Sequence, residues 1–330
     1  MTSVHPSSKI YDLFLYFNEE DLLLARLRYL WDYVDFFVIV ESAHSFSGIK
    51  KKYTCQEILE KNIPKYKEKV IIYRNDIYIN SNDIRNKNLG CIDTSSVPLV
   101  DYLIENIPYY GGMKEHWIND FFQRELLQCA LLELNPNDSD LVLVSDIDEI
   151  PTVESIDTIF KSNNNETTYF QMIESRHYIN YISKELWIGT VSTSVSGLKS
   201  KGVNYIRFYP KRYGISDCLI AHESGWHFTS LGGIESLIIK VKSWGHQEFN
   251  NPITKLIMPY RLDRGLDVFG RNLGLTYLED ITPIYDSKLL KLLDKKFIGK
   301  RFTIPSNMFL MVNYFVIFLE RTYQYVSRKI

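Results

Sequence analysis

The sequence predicts an α/β fold: a Rossmann-like, mostly parallel sheet flanked by helices, with a helical extension at the C-terminal end. Two patterns predict it. Runs rich in Val, Ile and Phe alternate with helix-period segments along residues 1–100, which is βαβ order. Farther on, the wholly apolar strand Leu141 to Val144 runs straight into the acidic cluster Ser145-Asp146-Ile147-Asp148-Glu149-Ile150-Pro151. The 330 residues are 45% hydrophobic, enough for a sizeable core, and contain no repeat, low-complexity stretch or clean linker. Residues 1–260 therefore read as one domain and 261–330 as a helical extension packed on it.

Element by element, Tyr11 to Phe17 reads as a buried strand and Glu20 to Trp31 as a helix. Asn18 is placed to cap that helix, Glu19, Glu20 and Asp21 complement its N-terminal dipole, and Leu23, Leu27 and Leu30 recur at helical spacing. Val34 to Val40 is a strand covered on both faces, and Lys69 to Tyr73 is a third. The polar stretch Asp76 to Ser96 reads as a surface excursion. Trp117 to Leu134 is a long helix stopped by Asn135-Pro136-Asn137-Asp138. After the acidic cluster, Thr168 to Ile173 and Val203 to Tyr209 are expected strands, and Ile234 to Lys242 a helix. Near the end, Met308 to Leu319 is an apolar run broken by Asn313 and followed by Glu320, Arg321, Arg328 and Lys329. It falls short of the roughly 18 residues needed to cross a bilayer, so it reads as a closing helix on the core or as an interfacial helix with basic flanks.

Composition narrows the function. Lys and Arg number 38 against 40 Asp and Glu, a net charge of −2, so no global positive field exists to hold nucleic acid. Four dispersed cysteines, Cys55, Cys91, Cys129 and Cys218, have neither zinc-site spacing nor the density of a disulfide scaffold. Met1 to Lys9 is polar and carries no targeting pattern, which fits a cytoplasmic and at most membrane-peripheral protein. The 23 Tyr, 18 Phe and 5 Trp are a surplus of rings of the kind on which sugars and bases stack.

The acidic cluster carries the chemistry. Ligands of open α/β sheets bind beyond the carboxyl ends of the strands, which is where Asp146 and Asp148 fall. Two hard carboxylates there suit Mn²⁺ or Mg²⁺ shared with a diphosphate, although a solvated acidic turn has the same sequence. The segment Ala221-His222-Glu223-Ser224-Gly225-Trp226-His227-Phe228 adds His227 as a third ligand or a core histidine, and Trp226 as a sugar platform or a loop anchor. Glu223 and Glu248 are candidates for the base that takes a proton from an acceptor hydroxyl. Arg124 lies on the helix before the acidic strand, free to pair with a diphosphate or with Asp120 and Glu125. No phosphate-binding Lys or Gly-rich loop is evident beside the carboxylates.

Several stretches in shared order resemble glycosyltransferase family 17, which contains the bisecting N-acetylglucosaminyltransferases. They are Tyr11-Asp12-Leu13-Phe14-Leu15-Tyr16-Phe17-Asn18-Glu19, Asp21-Leu22-Leu23 with Arg26-Leu27, Val34 to Ser42, Phe46-Ser47-Gly48, Gln123-Arg124, Ser145 to Pro151, Gly225-Trp226-His227-Phe228, Gly232-Gly233 and His246-Gln247-Glu248. Each is short, but their common order over roughly Tyr11 to Asn250 is specific.

The resemblance implies a GT-A fold, a nucleotide-sugar donor, a divalent metal and inversion at the anomeric carbon. It implies that Phe17, Asn18, Glu19, Glu41 and Ser42 lie near the nucleotide and that Asp146 and Asp148 hold metal and diphosphate. The expected activity is transfer of GlcNAc from a UDP-sugar to a glycan acceptor in β-linkage. Two other classes compete on the residues alone: a metal-dependent phosphohydrolase or nucleotidyltransferase, and a non-catalytic glycan-binding protein. The family's animal members carry an N-terminal anchor that has no counterpart here, and the segment from Asp76 to Glu115, on the expected acceptor side, matches no motif.

Overall fold

A computed structural model describes residues 8–79, 115–162, 166–271 and 273–327. Its first half holds β1 (Ile10–Tyr16), α1 (Glu20–Leu30), β2 (Phe36–Ser42), α2 (Cys55–Asn62), β3 (Val70–Asn75), α3 (Glu115–Leu132), β4 (Leu141–Asp146), β5 (Glu149–Pro151), α4 (Val153–Ser162), β6 (Thr168–Arg176) and β7 (Tyr181–Ser183). The second half continues with β8 (Trp187–Ser194), α5 (Val195–Lys201), α6 (Val203–Tyr213), β9 (Leu219–Ala221), β10 (Gly225–Thr229), α7 (Gly233–Ser243), α8 (Pro252–Asp263), β11 (Leu275–Tyr277), α9 (Ser287–Leu292) and α10 (Asn307–Ser327).

These strands form one sheet in the order β11-β7-β6-β8-β4-β1-β2-β3, with β9 and β10 added on β6 and β5 on β10. The run β4-β1-β2-β3 is parallel, whereas β8 lies antiparallel to both β4 and β6, and β7 and β11 continue antiparallel. The sheet is thus mixed rather than mostly parallel. The apolar runs at β1, β2 and β4 signal strands buried on both faces, but the polar β8 and the short β7, β9, β10 and β11 carry no sign of direction.

Side-chain alternation along the parallel strands builds two cores. Phe14, Phe37, Ile39 and Leu143 face α1, α2 and α9, while Leu13, Val38, Val40, Val142 and Val144 face α3 and α6. Full burial of each such side chain contributes about 1.5–3 kcal/mol. Charge enters the first core where β1 meets α1. Asp12 and Arg26 are both fully buried, and the guanidinium donates to both Asp12 oxygens at 2.8 and 2.6 Å. It also donates to Ser145 Oγ at 2.9 Å and to the carbonyls of Glu149 and Asp146 at 2.5 and 3.4 Å. One side chain of α1 therefore ties β1 to the acidic turn.

Three expectations need correction. Asn18 does not cap α1; Glu19 occupies that position, and its carboxylate accepts from the N–H groups of Phe17 and Asn18 at 3.2 and 3.0 Å. Val203 to Tyr209 is helix, not strand. Gly202, at φ +81°, ends α5, and the first N–H groups of α6, on Val203 and Asn204, donate to the buried Glu125 carboxylate at 2.9 and 2.8 Å. An anion on the helix N-terminus overrides the strand preference of Val, Tyr, Ile and Phe. Finally, α10 does not bury its apolar side chains: Met308, Met311, Tyr314, Phe315 and Phe318 are all exposed. Residues 261–330 also contribute β11 to the edge of the sheet.

Most of the stretch Asp76 to Ser96, expected as a surface excursion, and of the expected acceptor side falls on residues 80–114, which lie outside the described part. The described residues on either side of it, Ile79 and Glu115, share one partner. The Asn119 amide accepts from Ile79 N–H at 2.9 Å and donates to the carbonyls of Ile79 and Glu115 at 2.7 and 2.8 Å.

Arg26→Ala leaves Asp12 buried without a counter-charge, and the unfolding free energy in urea should fall by about 3–5 kcal/mol. A loss under about 1 kcal/mol would contradict the role assigned to the pair.

Candidate active site

Because β1, β2 and β4 are parallel, their carboxyl ends share one edge of the sheet. A cleft of about 1100 Å³ opens there, lined by Phe17, Glu19, Ser42, Asp120, Arg124, Asp146, Asp148, Trp187, Arg207, Lys211, His227, Lys240, His246 and Glu248 among others. Asp146 closes β4, and Asp148 follows in the tight turn into β5.

Each of these carboxylates has its own cations. Asp146, 37% exposed to the cleft, meets Arg207 at 3.1 Å and Arg124 at 3.6 Å. Burial pushes its carboxyl up, but Arg207, then Arg124 and Lys211, outweigh this and hold it well below the usual carboxylate range. Asp148 meets Lys240 at 3.6 Å and His227 Nε2 at 3.7 Å. Those two cations likewise overcome burial and keep its carboxyl low. Arg207 also bridges to the fully buried Glu149 at 2.8 and 3.0 Å, and Glu149 accepts the Trp187 indole N–H at 2.7 Å. Arg124 has a second partner one helical turn back, Asp120, at 3.0 Å.

Histidine 227 sits where a metal-binding imidazole would be supported. Its Nδ1 side faces the buried Glu174 at 3.5 Å and its Nε2 side faces Asp148. Burial alone would pull the imidazole down, but Asp148, Glu174 and Glu149 hold it up at about 9. Glu174 in turn is kept down at about 2, because His227 and Arg176 outweigh its burial. Lys211, one helical turn beyond Arg207, lies over the Trp187 ring at 4.5 Å. At the cleft's other side Glu248 pairs with His246 at 2.8 Å.

The sequence candidates divide. Phe17, Glu19, Ser42, Arg124, Asp146, Asp148, His227 and Glu248 all line the cleft. Asn18 is exposed and outside that lining. Glu41 is turned to α2, where its carboxylate accepts from Thr54 and Cys55 N–H at 2.7 and 3.3 Å and from Lys51 at 3.1 Å. Glu223 is an exposed residue at φ +49° in the turn before β10, so it sits at the end of that strand away from the cleft. Trp226 alternates with His227 along β10 and points the other way, into the core beside Tyr29 and Tyr285, with its indole N–H on Ile284 O at 2.8 Å. The ring is an anchor, not a wall of the cleft.

Arg207, Lys211, Lys240 and Glu174 went unnoticed in the sequence, where no phosphate-binding cation stood out. The signal for the first two, a basic pair at i and i+4, becomes readable only once residues 203–213 are known to be helical.

Trp226→Phe removes the indole donor and leaves the Ile284 carbonyl unpaired. Denaturation should show a loss of about 1–3 kcal/mol, and full stability in that variant would contradict the anchoring role.

Comparison with known proteins gives the family. No curated protein matches the sequence. The profile of Glycosyltransferase family 17, however, matches residues 2–88 and 101–264, which include the four parallel strands, the acidic turn and the helices that supply its cations. With most of its length matched, the chain belongs to glycosyltransferase family 17.

Proposed function

We propose that the chain is an inverting GT-A-type enzyme that transfers N-acetylglucosamine from UDP-GlcNAc to a glycan hydroxyl in β-linkage, with Mn²⁺ or Mg²⁺ as cofactor. The observation that carries this reading is the set of Asp146 and Asp148 with Arg124, Arg207, Lys211 and Lys240 in one cleft at the carboxyl ends of parallel strands. A nucleoside diphosphate needs such a local concentration of positive charge, since the chain as a whole carries −2.

Among the described residues, no three His, Cys, Asp or Glu side chains are gathered closely enough to cage a metal ion. A divalent ion shared with a diphosphate needs only one or two protein carboxylates, the rest of its shell being phosphate oxygens and water. Asp146 and Asp148 fit that need, with His227 beside them and Glu174 behind the imidazole in the arrangement that orients a histidine ligand. When bound, the ion supplies Lewis-acid neutralisation of the diphosphate charge.

The chain's own residues account for the other requirements. Phe17, Glu19 and Ser42 border the nucleotide end, and Arg207, Lys211 and Lys240 draw the phosphates toward the acidic turn. Glu248 is the base that remains in the cleft. It takes the proton of the acceptor hydroxyl as that oxygen bonds to the anomeric carbon, and the bond from this carbon to the phosphate oxygen breaks on the opposite side, with UDP leaving with the electron pair. One displacement on an α-linked donor gives a β-linked product.

A panel of nucleotide sugars assayed for metal-dependent UDP release needs no knowledge of the acceptor. UDP-GlcNAc should give the strongest release, and Asp148→Ala should abolish it; full turnover by that variant would refute the metal role. Lys211→Ala removes one charge-assisted phosphate contact and should weaken UDP binding about tenfold in calorimetry. Unchanged binding would exclude Lys211 from the phosphate site.

A further inference from the structure

Helix α10 is amphipathic in reverse. Its 21 residues place Met308, Met311, Phe315 and Phe318 on one stripe at helical spacing, with exposures of 75, 73, 61 and 64%, flanked by Tyr314 at 72%. Two of its polar side chains point inward. Asn313 and Glu320 are buried against α8, where the fully buried Arg261 donates to Asn313 Oδ1 at 2.8 Å and to the two Glu320 oxygens at 3.2 and 2.8 Å, and Thr254 adds a hydroxyl at 2.8 Å. On α8 itself Leu256 and Tyr260 are exposed, 74 and 54%. A helix that rests on its own protein through a buried ion pair and half-buried Phe309, Leu310, Val316 and Ile317, and turns Met308, Met311, Tyr314, Phe315 and Phe318 outward, is matched to an outside less polar than water.

Charge identifies that outside. On residues 252–264 and 299–325 the exposed or half-exposed charges are Lys255, Arg264, Lys300, Arg301 and Arg321, against one exposed carboxylate, Asp263, which Arg264 pairs at 3.3 Å. The only acid of α10, Glu320, is hidden on Arg261. A second copy would set this basic rim against itself, whereas anionic headgroups complement it. Among the described residues no helix is long and apolar enough to cross a membrane. We propose that the outer face of α10 and α8 rests in the plane of an anionic lipid surface, rings in the acyl boundary and basic rim at the headgroups.

The test is flotation of the full chain with vesicles of phosphatidylcholine and phosphatidylglycerol, beside vesicles of phosphatidylcholine alone, with sedimentation velocity run in the absence of lipid. The wild type should sediment as a monomer and float with the anionic vesicles, less with the neutral ones, and be released by high salt. Phe315→Glu with Phe318→Glu should cut the bound fraction at least about tenfold, with an unchanged circular dichroism spectrum, because both positions are exposed. Arg321→Glu should weaken binding only to the anionic vesicles. The proposal is overturned if the wild type stays with the unbound fraction, if the double variant floats as well as wild type, or if the wild type is a dimer that the double variant dissolves.

Discussion

The buried pair of Asp12 and Arg26 fixes the turn on which the carboxylates of the cleft sit. Removing two full charges from water costs several kcal/mol, and the pair offsets this only because all three guanidinium nitrogens are used, Nε and Nη2 on Asp12, Nη2 also on Ser145, and Nη1 on the carbonyls of Asp146 and Glu149. Apolar residues of similar size would fill the space but could not hold the main chain of the acidic turn. In this protein the ion pair is a positional device, linking the first strand to the fourth across α1.

Around that fixed turn the electrostatics follow a simple rule of local neutrality. Asp146 answers to Arg207 and Arg124, Asp148 to Lys240 and His227, Glu149 to Arg207, and Glu174 to Arg176 and His227. Such pairing keeps buried charges affordable and also pre-positions them. On the reading proposed above, a diphosphate binds by exchange, taking cations that already have partners, so its phosphates find donors whose orientation is set beforehand.

Much of this was legible in the residues. Leu141 to Val144 is apolar on both faces and ends at an aspartate, and this is sufficient to place Asp146 and Asp148 at the rim of the sheet. The strand period also separates Trp226 from His227, although sequence does not say which of the two faces the cleft. What could not be read depends on distant partners. Val203 to Tyr209 has strand-like composition, and the partners that favour a helix there, the Glu125 carboxylate at its start and the core beneath Val203 and Ile206, come from elements distant in the chain. The same blindness hid Arg207 and Lys211, because their spacing has meaning only on a helix. Glu41 follows an apolar strand much as Asp146 does, yet the chain that returns at Thr54 claims its carboxylate for a helix start. With α10, the amount of apolar residue was plain, but the direction it faces was decided by Arg261 on another helix.

The clasp that Asn119 makes with Ile79 bears on how the cleft keeps its shape. One amide accepts from the Ile79 N–H, donates to the Ile79 carbonyl and donates to the Glu115 carbonyl one turn back on its own helix, so the segment that follows β3 and the first turn of α3 are pinned to each other. That end of the helix carries Trp117 and Asp120, which line the cleft, and its place is therefore set from the edge strand of the parallel run as well as from the acidic turn.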